Sequence, residues 1–139
     1  MRFIGEILIE RGLITLDELD KALKVQKDKG GLLGEILVDM NVLSEDEIIQ
    51  ALATQYGYPY LSLHDYDIDA SIAKTIPQHI ANYYCLIAVD KIENTITVAM
   101  ADPLNSNAIE DVEYTTGCKA QPFIAKPSEI RATITKCYT

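Results

Sequence analysis

Apolar residues recur at helical spacing through the first part of the chain. Ile4, Ile7 and Leu8, followed by Arg11, lie at i, i+3, i+4 and i+7, so three apolar side chains share one helix face. Gly12 follows and supplies the left-handed residue that stops a helix. Thr15 to Glu18 fits the S/T-x-x-E capping box, in which a hydroxyl and a carboxylate each satisfy an open backbone N–H. Leu19, Ala22, Leu23 and Gln26 continue along one face of a second helix. The pattern is then written again. Gly5 pairs with Gly34, Leu8 with Leu37, Thr15 with Ser44, Glu18 with Glu47, Ala22 with Ala51, Leu23 with Leu52 and Gln26 with Gln55, each pair 29 residues apart. Asn41 stands where Gly12 does, and after glycine asparagine tolerates the left-handed backbone best. Ile48, Leu52 and Gln55 repeat the spacing of Leu19, Leu23 and Gln26. Each copy therefore reads helix, tight turn, helix, with residues 27–31 as the linker, and two helical hairpins sharing one core account for every apolar position.

After Gly57 the period changes. Tyr58 to Leu63 has strand character, and Ala70 to Tyr84 reads as helix interrupted at Pro77. Leu86 to Ile92 and Thr95 to Met100 read as paired strands around Glu93 and Asn94. Asp102 to Asn105 is a loop, and Asn107 to Thr116 a helix closed by Gly117. Gln121 to Ala125 reads as a strand, and Ser128 to Tyr138 as a last helix with Ser128 as its N-cap. The fold class expected is α+β. A four-helix repeat of two helical hairpins over residues 1–57 precedes a small α/β sandwich-like subdomain over 58–139, its sheet carrying helices on one side.

Charge and chemistry narrow the function. The formal net charge of −9 argues against a general nucleic-acid binder, which needs clustered Lys and Arg. Three cysteines form no C-x-x-C pair, and the first residues lack a signal peptide, which places the chain in a reducing, cytoplasmic compartment. No apolar run approaches the ~18 residues of a membrane span, so direct membrane insertion is not expected. There is no G-x-x-x-x-G-K-S/T loop for a nucleotide triphosphate and no H-E-x-x-H. Asp65, Asp67 and Asp69 alternate like a calcium loop, yet Ala70 and Ile76 stand where that loop needs Gly and Glu. Tyr56, Tyr58 and Tyr60 lack basic partners for stacking bases and are expected to pack between the halves. Neither His64 and His79 nor Cys118 and Cys137 has the neighbours of a catalytic group. No enzyme, no catalytic residue, no metal and no cofactor is expected.

The aligned repeat resembles the N-terminal domain of type II secretion protein E and of type IV pilus assembly ATPases. There a 24-residue motif, R-L-G-x-x-h-h-x-x-G-h-h-x-x-x-x-L-x-x-x-L-x-x-Q with h for Leu, Val or Ile, appears twice, separated by five residues. Here the copies span Phe3 to Gln26 and Leu32 to Gln55, with Lys27 to Gly31 as spacer. The run from Ile96 to Asn105 also looks like the family. The resemblance implies a domain preceding a hexameric ATPase, which docks on the cytoplasmic domain of an inner-membrane secretion or pilus protein and is peripheral to that membrane through its partners. In a subset, the MshEN domains, the doubled motif binds cyclic di-GMP. Carried over, the ligand positions are Ile4, Gly5, Leu8, Gly12, Leu19, Leu23 and Gln26 in the first copy, and Leu33, Gly34, Leu37, Asn41, Ile48, Leu52 and Gln55 in the second. The leading arginine is replaced by Phe3 and by Leu32, and Arg2 is one residue out of register. Arginine reads phosphates and guanine edges by bidentate charged bonds. The docking role is therefore the expectation, and cyclic di-GMP the alternative ligand, weakened by the absence of both arginines.

Overall fold

The structure, a computed structural model, describes residues 4–138. The chain forms two compact units, Met1–Gly57 and Tyr58–Thr139. The first is helical: α1 (Ile4–Glu10), α2 (Leu16–Lys29), α3 (Leu33–Asp39) and α4 (Glu45–Tyr56). The hairpin turns are built alike. Gly12 and Asn41 have φ of 71° and 60°, and the amides that follow them, Leu13 and Val42, reach back to the carbonyls of Leu8 and Leu37 at 2.9 and 3.1 Å. This six-to-one bond is the Schellman closure of a helix end. Asn41 therefore keeps the backbone that glycine sets in the first copy. Both capping boxes are complete. Thr15 Oγ1 accepts from the Glu18 amide at 3.1 Å while Glu18 Oε1 accepts from the Thr15 amide at 2.9 Å; the Ser44 and Glu47 pair repeats this at 3.2 and 3.0 Å.

The second unit holds a three-stranded sheet, order β1-β2-β3, of β1 (Leu86–Ile92), β2 (Thr95–Met100) and β3 (Lys119–Ile124). The first two form an antiparallel hairpin turning at Glu93, whose φ is 54°, with a register shift at Val89. The third lies parallel to β2 and is reached through α7 (Ser106–Thr116). A parallel neighbour needs such a crossover, and a helix supplies it. The remaining helices are α5 (Ala70–Ala73), α6 (Gln78–Tyr84) and α8 (Pro127–Cys137).

Several sequence expectations need correction. Tyr58 to Leu63 is not a strand. Only Tyr60 bridges to Ile124, flanked by bonds from the Leu61 amide to the Ile124 carbonyl (2.8 Å) and from the Ile124 amide to the Pro59 carbonyl (2.9 Å). Pro59 has no N–H to extend the ladder, and the chain curls at Leu63–Asp65 into a 3-10 turn, where Glu129 accepts from the Leu63 amide at 3.0 Å. The last helix starts at Pro127 with Lys126 at the N-cap, so Ser128 lies inside its first turn, behind a proline preset for that position. Asn105 caps α7 through Ala108, so the helix starts at Ser106, one residue before the expected Asn107. The interruption expected at Pro77 is present: α5 ends at Ala73 and Pro77 is the N-cap of α6. Helices on one side of the sheet would leave β1 alternating, yet Leu86, Ile87, Ala88 and Val89 are all buried, so both faces are covered there.

The matched caps give a direct test. Thr15→Ala and Ser44→Ala should each destabilise the helical unit by about 1 kcal/mol, and by similar amounts, read from its urea midpoint. A large effect at one cap and none at the other would refute the structural equivalence of the copies.

Candidate functional site

The two hairpins meet reciprocally. A Cβ placed on Gly5 would stand 2.9 Å from Leu19 Cδ1 of its own copy and 3.3 Å from Leu33 Cδ2 of the other. A Cβ on Gly34 would meet Ile48 Cδ1 of its own copy at 3.5 Å and Ile4 Cδ1 of the other at 3.9 Å. Leu19 and Ile48 are equivalent, as are Ile4 and Leu33, so each glycine admits the other copy's residue. A Cβ at Gly5 would force the Leu19 and Leu33 side-chain ends to shift. At Gly34 the contacts are ordinary, and packing alone does not require glycine there.

Equivalent positions then part company. In the second copy Leu37, Ile48 and Leu52 are buried, as are Ile4 and Leu8 in the first. These five lie in the core of the helical unit. Helix α2 differs: of its fourteen residues only Ala22 is buried. Leu16, Leu19, Leu23 and Gln26 fall within one arc of it, with Leu16 67% and Leu23 42% exposed. The Gln26 amide donates to the Gly31 carbonyl at 3.0 Å, fixing the linker against the helix end. Gln55, its counterpart, accepts from Arg11 Nη1 at 3.3 Å. Gly12 and Asn41 lie at the exposed turns, and Leu33 and Gly34 are half-buried. The accessible candidates are thus Gly12, Leu19, Leu23, Gln26, Leu33, Gly34, Asn41 and Gln55. Leu32 precedes α3, half-buried and without a side-chain capping bond; Phe3 lies outside the described residues. Arg11, which the repeat does not single out, brings a guanidinium to the motif glutamine of the other copy. Its signal in the sequence is only that it is the one arginine between residues 4 and 57.

In the second unit Asp69 accepts from the Ser71 amide and hydroxyl at 2.9 and 2.7 Å, which holds its carboxyl below the usual range and commits it to capping α5. Among the described residues no group of three or more His, Cys, Asp or Glu is arranged to hold a metal. Nor, among them, is any helix long and apolar enough to cross a membrane.

Known proteins resemble this arrangement. Residues 56–139 match the MshEN domain family. A type IV pilus assembly ATPase PilB of Myxococcus xanthus is 31% identical over 135 residues, covering 97% of this chain and 24% of that protein. The PilB of Thermus thermophilus is 33% identical over 137 residues, covering 97% and 15%. The chain thus spans a quarter or less of these relatives. In fold it is similar to MshE, solved with cdg, at TM-score 0.72 and 24% identity over 99% of this chain and 100% of that one. The N-terminal domain of XpsE superimposes at TM-score 0.75, with 20% identity over 96% and 92%.

The two glycines separate packing from function. Gly34→Ala should keep or raise the unfolding midpoint, by up to about 0.5–1 kcal/mol, because alanine favours a helix. Gly5→Ala should raise it less, or lower it by up to about 1 kcal/mol, because the Leu19 and Leu33 side-chain ends must shift against the same helix gain. Equal losses at both would mean that Gly34 is needed for the fold alone.

Proposed function

The chain belongs to the MshEN domain family, and from that premise we propose that it is a non-catalytic docking module of a type IV pilus or type II secretion ATPase. Its partner is the cytoplasmic domain of an inner-membrane protein of the machine, which holds it at that membrane from the cytoplasmic side. The observation that carries this reading is the α2 face: Leu16 and Leu23 remain exposed on a helix that buries one residue, whereas the equivalent α4 buries four. A leucine stripe of this kind suits an amphipathic partner surface. The absence of a P-loop in these 139 residues agrees with a docking role.

Cyclic di-GMP is the second reading. It is favoured by Gly34, which packing does not require, and by the fold shared with MshE solved with cdg. Its weakness is charge. Leu32 stands where the motif has arginine, and among the described residues Arg11 brings a guanidinium to the motif residue Gln55.

Docking is tested by pairwise binding of this chain to the cytoplasmic domains encoded with its ATPase. One of them should bind, and Leu16→Glu with Leu23→Glu should weaken that complex about tenfold or more without moving the unfolding midpoint. Failure to bind any of them ends the docking reading. For the ligand, calorimetry should give a Kd no tighter than micromolar, or no binding. Leu32→Arg should tighten binding by about tenfold or more, since one bidentate charged contact contributes ~1.5–3 kcal/mol. Nanomolar binding by the unmodified chain would overturn the weakened-site reading.

A further inference from the structure

A second surface, in the other unit, has a chemistry of its own. Tyr83 on α6 and Tyr114 on α7 are 75% and 93% exposed. With His79, Tyr84 and Asp111 they line an open groove of about 400 Å³ between the two helices. Helical spacing sets them side by side: His79 and Tyr83 are four apart, Asp111 and Tyr114 three apart. Scattered exposed aromatics need no explanation; these are grouped and held. The Tyr84 hydroxyl donates to Asp111 Oδ2 at 2.6 Å, tying α6 to α7. The Tyr84 ring meets Tyr83 edge-on, centroids 4.8 Å apart at 81°. The bond to Asp111 pushes the Tyr84 hydroxyl up to about 12, so it stays a donor throughout the physiological range. A carboxylate has about four lone-pair sites, and this bond uses one.

The charge on the two helices is acidic, and the cation that reaches them, Arg131, is already bonded to the Asn82 carbonyl of α6 at 2.6 Å. Helix α7 carries Glu110, Asp111 and Glu113 and no Lys or Arg, α6 carries neither acid nor Lys or Arg, and the whole chain is at −9. Phosphate is repelled by such a field, so the tyrosines are poorly placed for nucleic-acid bases. A guanidinium fits on every count. Its plane stacks on a tyrosine face, and its paired N–H groups fork onto a carboxylate. Lysine offers only a point charge.

We propose that the α6–α7 groove is a docking site for an arginine-bearing basic segment of a protein partner, with Tyr83 and Tyr114 stacking on the guanidinium and Asp111 receiving its N–H groups. This surface is distinct from the α2 stripe and goes beyond the role proposed for it. The test is an NMR titration of the whole chain with the peptide acetyl-GSRGSRGS-amide and its lysine counterpart. Shifts should concentrate at residues 79–84 and 111–115, and the arginine peptide should bind about fivefold tighter or better. Asp111→Asn, and Tyr83→Ala with Tyr114→Ala, should each weaken it about tenfold. Tyr83→Phe with Tyr114→Phe, which keeps the ring faces and the fold, should retain most of the affinity. Equal binding of the two peptides, shifts spread over the acidic surface, or no response to the variants would overturn the proposal. So would an oligonucleotide such as dT10 shifting the same residues. No peptide binding by the unmodified chain, with the α2-dependent complex intact, would sink this groove alone.

Discussion

The helical unit depends on how closely two copies of one hairpin can approach. At Gly5 the absent methyl group leaves room for Leu19 of the first copy and Leu33 of the second, whose side-chain ends lie 2.9 and 3.3 Å from where a Cβ would stand. Around this approach Ile7, Leu8, Leu37 and Leu52 are sealed from solvent, each burial favouring the fold by ~1.5–3 kcal/mol. The Schellman turns and capping boxes fix where each helix begins and ends, so both copies offer complementary surfaces. A duplicated sequence thus builds a core that one copy cannot build alone.

Duplication also leaves a remainder. The second helix of the second copy is absorbed into the core, whereas its equivalent in the first keeps leucines in solvent. The exposed side of a once-equivalent pair is free to take on a different task, which is where the docking role is placed. The second unit follows another logic. It closes its sheet by a helix crossover and presents aromatic side chains from the helices rather than from the strands.

The parts legible in the sequence are those set by neighbours in the chain. The capping residues Thr15 and Ser44, the stops at Gly12, Asn41 and Gly117, and the hairpin strands Leu86–Ile92 and Thr95–Met100 follow from local spacing. The segment from Tyr58 to Leu63 was misleading because its composition favours a strand but its ladder depends on a distant partner, Ile124, and on an amide that Pro59 lacks. Ser128 yielded the cap to Lys126 because a proline fixes the first turn one residue earlier. For the candidate site, the motif positions are legible but their exposure is not. Leu23 and Leu52 occupy equivalent motif positions, yet one is 42% exposed and the other 0%. The α6–α7 groove joins residues some thirty positions apart, and no periodicity within either helix announces it.

The register shift at Val89 bears on behaviour outside the folded molecule. Strand β1 pairs on one side only, and along its unpaired edge Leu86 to Val89 are covered while Lys91 and Ile92 reach solvent. Its first four residues, all apolar, would make an adhesive segment if they ran flat to the strand's end. The extra residue at Val89 bends the strand, and Asp90 and Lys91 follow it at once. Such an interruption keeps neighbouring molecules from zipping their sheets together.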